Sequence, residues 1–252
     1  MASETVMGIV LSSGNIGESD RRIVLLTREK GKISAFARGA VKPKNPLVTA
    51  TRPFSFGEFF MYAGRDSYTV TGAEISNHFD GLMKDLDMYY YASYLCEIAD
   101  YYTRENLYAG NELLLLYQSL KALEKQTIGN ELIRYIFEWR MLRQSGEMPE
   151  VFGCVGCHKT LAEGVKPEYF SVSNHGLLCA ECVKKCIDGI QLLPGTVYAL
   201  QFILSTPLEK LYTFKVTEEV LGQIKEVTDR YLAVNRNHKF NSLEFIEMDM
   251  GF

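Results

Sequence analysis

The chain has 252 residues, 47% of them hydrophobic and 23% charged, with a net charge of −4. That length supports one large or two modest domains with real cores, and no apolar run approaches the roughly 18 residues of a membrane span. The first residues carry no basic secretory region, so a cytoplasmic protein is expected and its six cysteines read as thiols or metal ligands rather than disulfides.

The first 80 residues read as strands. Val6 to Leu11, Arg22 to Thr27, Lys32 to Arg38, Phe54 to Tyr62 and Tyr68 to Ile75 are short and rich in β-branched and aromatic residues. Turn signals separate them at Ser12-Ser13-Gly14-Asn15, Glu29-Lys30-Gly31, Lys42-Pro43-Lys44-Asn45-Pro46 and Ala63-Gly64-Arg65-Asp66. Five short strands with one long polar loop suit a small β-barrel, of which the OB-fold is one kind. From about Phe79 the period becomes helical. Leu82, Leu86, Tyr89, Tyr90, Leu95 and Ile98 mark one face, with Cys96 as core. Glu112 to Lys125 and Gly129 to Gln144 follow, the latter ended by Gly146 and Pro149. Beyond a cysteine-rich segment, Pro194 opens a helix to Ser205 and Thr217 caps one running to Val234. The reading is α+β: residues 1–79 a barrel, 80–252 helical, with a finger at about 150–190.

The strongest local signal is Cys154-Val-Gly-Cys157, then 21 residues, then Cys179-Ala-Glu-Cys182. Each Cys-x-x-Cys knuckle offers two thiolates, and two knuckles complete a tetrahedron around Zn²⁺. Gly153 and Gly156 are expected to allow the first turn. Four closed ligands leave no open position, so one structural zinc is expected, not a catalytic one. His158, His175 and Cys186 stand close enough in sequence to be substitute ligands.

The charge is uneven. Between positions 21 and 52 there are nine Lys/Arg (Arg21, Arg22, Arg28, Lys30, Lys32, Arg38, Lys42, Lys44 and Arg52) and one acid, Glu29, in an otherwise acidic chain. Such a segment is a footprint for a polyanion, contacted through phosphates without sequence readout. Phe36, Phe54, Phe56 and Tyr62 are either barrel core, the ordinary place for such residues, or planes for base stacking. Gly31-Lys32 resembles the end of a phosphate loop, but Leu26 stands where that motif needs glycine. No hydrolase, zinc-protease or dinucleotide motif occurs.

These pieces together resemble the RecO family. Gly17-Glu18-Ser19-Asp20-Arg21, Leu25-Leu26-Thr27-Arg28-Glu29-Lys30-Gly31-Lys32-Ile33 and Ala37-Arg38-Gly39-Ala40 look like its N-terminal barrel, as do Lys42-Pro43-Lys44, Pro53-Phe54 and Gly57-Glu58-Phe59. The helical middle and four-cysteine segment resemble its zinc-containing members. The resemblance implies an OB-fold, a helical domain and a zinc finger. It implies a bacterial, cytoplasmic, nucleoid-associated protein without enzymatic activity. Such a protein binds single- and double-stranded DNA, anneals complementary strands, binds the SSB C-terminal tail and works with RecR to load RecA. The competing readings are a protein-interaction adaptor with little DNA affinity, and a redox or nuclease enzyme.

Overall fold

The computed structural model describes residues 3–64 and 67–249. Five strands, β1 (Ser3–Ile16), β2 (Asp20–Thr27), β3 (Gly31–Ala37), β4 (Phe56–Ala63) and β5 (Tyr68–Asn77), close into a barrel in the order β1-β2-β3-β5-β4. All pairings are antiparallel except β3 with β5, where Ala35, Phe36 and Ala37 face Tyr68, Thr69 and Val70 in parallel. That order is the OB topology. The period-two alternation sends Ile23 and Leu25, then Ile33, Ala35 and Ala37, then Phe59 and Met61, into the interior. Small alanines on β3 let the narrow barrel fill without overpacking.

Two boundaries differ from the sequence reading. Ser12 to Asn15 are not a turn. β1 runs on through them as the partner of Arg21–Val24, after a bulge between Val10 and Ser12, and the chain reverses at Gly17, whose φ is +58°. Polar residues there mark an exposed strand end, which composition cannot separate from a turn. Phe54 does not start β4. It stands before that strand with φ +71°, fully buried and edge-on to Tyr89. A four-residue helix, α1 (Leu47–Ala50), also interrupts the long loop. The expected turn at positions 63–66 lies partly outside the described residues, since Arg65 and Asp66 are not described; Gly64 N–H donates to Ser67 O at 2.8 Å.

Helix α2 (Leu86–Tyr102) starts later than its hydrophobic period suggests, because the Asp85 carboxylate caps it by accepting from the Met88 N–H at 2.9 Å. Leu86 is consequently a first-turn residue and 66% exposed rather than core. Cys96 is buried, and burial pushes its thiol well above the usual range. α3 (Gly110–Lys125) follows. The last described element, α7 (Asn241–Asp249), packs on α2. Tyr90 stacks on Phe245 with 5.1 Å between ring centroids, and the Ser242 N–H donates to Glu97 at 3.1 Å. These elements form one compact unit that runs to Asn130 and resumes at Phe240.

The second unit, Glu131–Lys239, is built on α4 (Asn130–Ser145). Every residue from Leu132 to Leu142 is buried, so the helix is wrapped on all sides rather than along one stripe. Its buried Arg134 pairs with Glu138 and Asp229, each at 3.3 Å. Trp139 Nε1 donates to Thr228 at 2.7 Å. Gly146, at φ +78°, ends α4. A three-stranded sheet, β7 (Gly176–Cys179), β6 (Pro167–Ser171), β8 (Ile190–Gln191) in spatial order, carries the cysteine segment. α5 (Pro194–Ser205) has proline in its first turn, and Arg140 and Arg143 donate to the Leu204 and Thr206 carbonyls at its other end. In α6 (Glu218–Asn235), Thr217 caps by accepting from the Val220 N–H at 3.3 Å.

Candidate metal centre and nucleic-acid interface

The four cysteines converge. Cys154, Cys157, Cys179 and Cys182 place their sulfurs within 4.8 Å of one another. A tetrahedron with Zn–S arms of about 2.3 Å has edges of roughly 3.8 Å, so the cluster fits such an ion with small adjustment. The first knuckle is a tight reversal in which the His158 N–H donates to Cys154 O at 2.7 Å and the Cys154 N–H to Lys159 O at 2.9 Å. His158, not a glycine, takes the left-handed conformation this turn needs, at φ +59°. Gly153 has room for a Cβ, 3.5 Å from its nearest neighbours. Gly156 does not. A Cβ there would stand 2.9 Å from both Cβ and Sγ of Cys182, so its task is to let the second knuckle approach.

The second knuckle runs from the end of β7 into a single 3₁₀ turn, Val183–Lys185. Burial opposes ionisation of Cys154, but N–H groups of Cys157, Cys179 and Gly156 directed at its sulfur outweigh it and lower the thiol to about 6. Cys182, hydrogen-bonded to the sulfurs of Cys179 and Cys154, is raised to about 12. A sulfur poised as thiolate beside three more is a donor set for a thiophilic cation.

The neighbouring candidates point elsewhere. Among the described residues, the metal-capable group contains neither His158, His175 nor Cys186. His158 lines an open groove of about 410 Å³ beside the first knuckle. His175 meets the Tyr231 hydroxyl at 3.3 Å. The Cys186 thiol donates to Asp188 at 2.9 Å, and its sulfur lies 3.2 Å from the Ser171 hydroxyl. Asp188 also accepts from the Ser171 hydroxyl at 2.6 Å and from both the N–H and hydroxyl of Ser173 at 2.8 Å. Partial burial works against its charge, but these donors hold its carboxyl well below the usual carboxylate range. The cluster sewing β6 to the loop after the second knuckle was not visible in the sequence, where Asp188 has no motif around it.

The nine basic candidates separate into two groups. Arg28 pairs with Glu29 at 2.7 Å, Lys30 with Glu4 at 2.8 Å, Lys32 with Asp100 at 3.3 Å and Arg52 with Asp80 at 3.6 Å. The hydrogen bond to Glu4 raises the Lys30 pKa. Lys32 further donates to the Asp100 carbonyl at 2.6 Å, binding β3 to α2. Arg21 holds the α1 turn through Val48 O at 2.8 Å and Thr51 Oγ1 at 3.1 Å. Arg22, Arg38, Lys42 and Lys44 are exposed and are in no ion pair among the described residues. The Gly39 N–H donates to Asp20 at 2.8 Å, which holds that carboxyl below its usual range and anchors the root of the Lys42–Lys44 loop on the β1–β2 turn.

The aromatic candidates divide likewise. Phe54 is core, and Phe56 packs on Tyr117 with 4.5 Å between centroids. Phe36 and Tyr62 stand outward, 36% and 45% exposed.

A closed five-stranded barrel with a cationic loop, joined to helices and a four-cysteine finger, defines a class of barrel-and-finger proteins. Comparison with known proteins places it more closely. Residues 1–79 match the family model described as Recombination protein O N terminal, and residues 83–244 the one described as Recombination protein O C terminal. The chain is 33% identical over 240 residues to the DNA repair protein RecO of Acetivibrio thermocellus, covering 95% of this chain and 94% of that protein. It is 33% identical over 224 residues to the RecO of Bacillus subtilis, covering 89% and 86%. The chain belongs to the RecO family of DNA repair proteins. No helix among the described residues is long and apolar enough to cross a membrane.

Proposed function

We propose that this chain is a non-enzymatic DNA-binding protein of cytoplasmic, nucleoid-associated recombinational repair, which anneals complementary strands through its barrel, residues 1–79. The observation that carries this reading is the group of exposed cations Arg22, Arg38, Lys42 and Lys44, which are in no ion pair among the described residues. Two complementary polyanions repel each other. A cationic surface screens that repulsion and raises the local concentration of strands, and base pairing supplies the free energy without nucleotide hydrolysis. Family membership supports the wider assignment: single- and double-stranded DNA as ligands, with RecR and the SSB C-terminal tail as protein partners in loading RecA.

The finger would hold one structural Zn²⁺ on Cys154, Cys157, Cys179 and Cys182. When bound, the ion supplies a cross-link between the two knuckles and no reaction chemistry, since four protein sulfurs fill its coordination.

The test is annealing of two labelled complementary strands by the purified chain, without nucleotide, across a salt titration. Acceleration that fades steeply with salt is expected from phosphate contacts. No acceleration at low salt by folded protein would overturn the annealing reading and leave a zinc-containing interaction adaptor.

A further inference from the structure

The register of the barrel puts four outward residues in one cross-strand row. Arg22 on β2 pairs with Phe36 on β3, Phe36 with Thr69 on β5, and Thr69 with Tyr62 on β4. Directly paired residues share a face of the sheet. The inward positions beside the row, Ile23, Ala35, Ala37, Met61 and Val70, are core. Phe36 and Tyr62 therefore expose their rings on the same outer surface, with Thr69 between them and Arg22 at the end. Arg38, two residues beyond Phe36 along the chain, continues the cationic side. Among the described residues, Glu58 and Glu74 face each other further along the β4–β5 pair, away from the row, and Asp20, two residues from Arg22 along β2, is engaged by the Gly39 N–H.

Two rings on one row, two strand spacings apart, lie about 10 Å from each other. Each can take its own base. In a duplex, bases stack on one another about 3.4 Å apart and leave no inner face free, so such rings are of use only to an unpaired strand. We infer that Phe36 and Tyr62 are base-stacking residues that give the barrel its preference for single-stranded DNA, while Arg22 and Arg38 hold the backbone alongside. This rests on the DNA-binding reading above and adds what that reading lacks: a reason for the surface to tell an open strand from a closed one. Stacking is sequence-tolerant because every base has a π face, as a protein acting on arbitrary strands requires.

The experiment uses the full chain and measures anisotropy of an oligo-dT strand and of a duplex of equal length, with Phe36→Leu, Phe36→Ala, Tyr62→Leu and Tyr62→Phe. Phe36→Leu keeps an apolar strand residue and removes only the ring, so a folding defect does not mimic the effect. Phe36→Leu and Tyr62→Leu are each expected to weaken single-strand binding about ten-fold, to leave duplex binding within about two-fold, and to leave the salt slope for both unchanged, because every cation that meets a phosphate is still in place. Tyr62→Phe should bind like wild type. Equal losses on strand and duplex, or no loss on either, would overturn the stacking assignment while leaving barrel DNA binding intact. A wild-type chain that binds neither ligand would overturn both.

Discussion

The backbone N–H of Cys179 points at the sulfur of Cys154, 3.3 Å away. One knuckle thus hydrogen-bonds the other, and the pair is oriented by the β6–β7 sheet as well as by any ion. Metal analysis of purified protein is expected to give about one zinc per chain. Cys154→Ser should abolish it and open the region of residues 150–190 to proteolysis, while the barrel keeps its DNA affinity. The two glycines supply the internal control. Gly156→Ala drives a methyl against Cys182 and is expected to cost about 1–3 kcal/mol, as overpacking does, with weakened zinc retention; Gly153→Ala meets nothing closer than 3.5 Å and should be near neutral. Thermal melts and chelator competition on the two variants make the comparison. Equal behaviour would sink the close-approach account.

The basic residues should part company under mutation. Reversing Lys42 and Lys44 to Glu removes exposed cations that are in no ion pair among the described residues, so DNA affinity should drop and the slope of log affinity against log salt should lessen by about 0.9 for each phosphate no longer neutralised. Lys32→Ala breaks the bonds to Asp100 that tie β3 to α2. It should lower the melting temperature and leave the salt slope almost unchanged. Binding isotherms at four or five salt concentrations, with melts alongside, separate the two behaviours.

Asp188 makes the finger acid-sensitive. Its native carboxyl titrates below its ordinary 3.8, so its contribution is fully present above that value and is lost as pH falls through the range beneath it. Asp188→Asn keeps the shape but gives up charge-assisted bonds to Ser171, Ser173 and Cys186. It is expected to destabilise the second unit by about 1–3 kcal/mol at neutral pH, and the difference from wild type should shrink in acid. Unfolding curves at pH 7 and pH 3 would show whether the gap has begun to narrow; a constant gap would mean the carboxylate charge is not what those donors hold.

What could be read beforehand was what depends on neighbours along the chain. Strand alternation over β3, the Pro194 start of α5, the Thr217 cap and the pairing of cysteines are local in origin. The misreadings have other causes. β1 continues through Ser12–Asn15 because Arg21–Val24 lies opposite, and Leu86 is exposed because Asp85 caps the helix immediately before it. The basic segment was legible as a cluster. Its division was not, because Glu4, Asp80 and Asp100, the partners of Lys30, Arg52 and Lys32, are 26, 28 and 68 positions away. Phe36 and Tyr62 face outward from β3 and β4, whereas Phe54 takes a left-handed conformation just before β4 and is turned into the core, a difference no local pattern announces.

The packing of α7 on α2 has a bearing on synthesis. Residues from Phe240 on belong with the barrel unit, yet the ribosome makes them only after all of Glu131–Lys239. N-terminal domains commonly fold as they emerge. Here the barrel can close early, but Tyr90, Tyr94 and Glu97 wait for Phe245, Phe240 and Ser242. The unit that is begun first is finished last, and a nascent chain carries an uncovered patch on α2 for as long as the finger is being made.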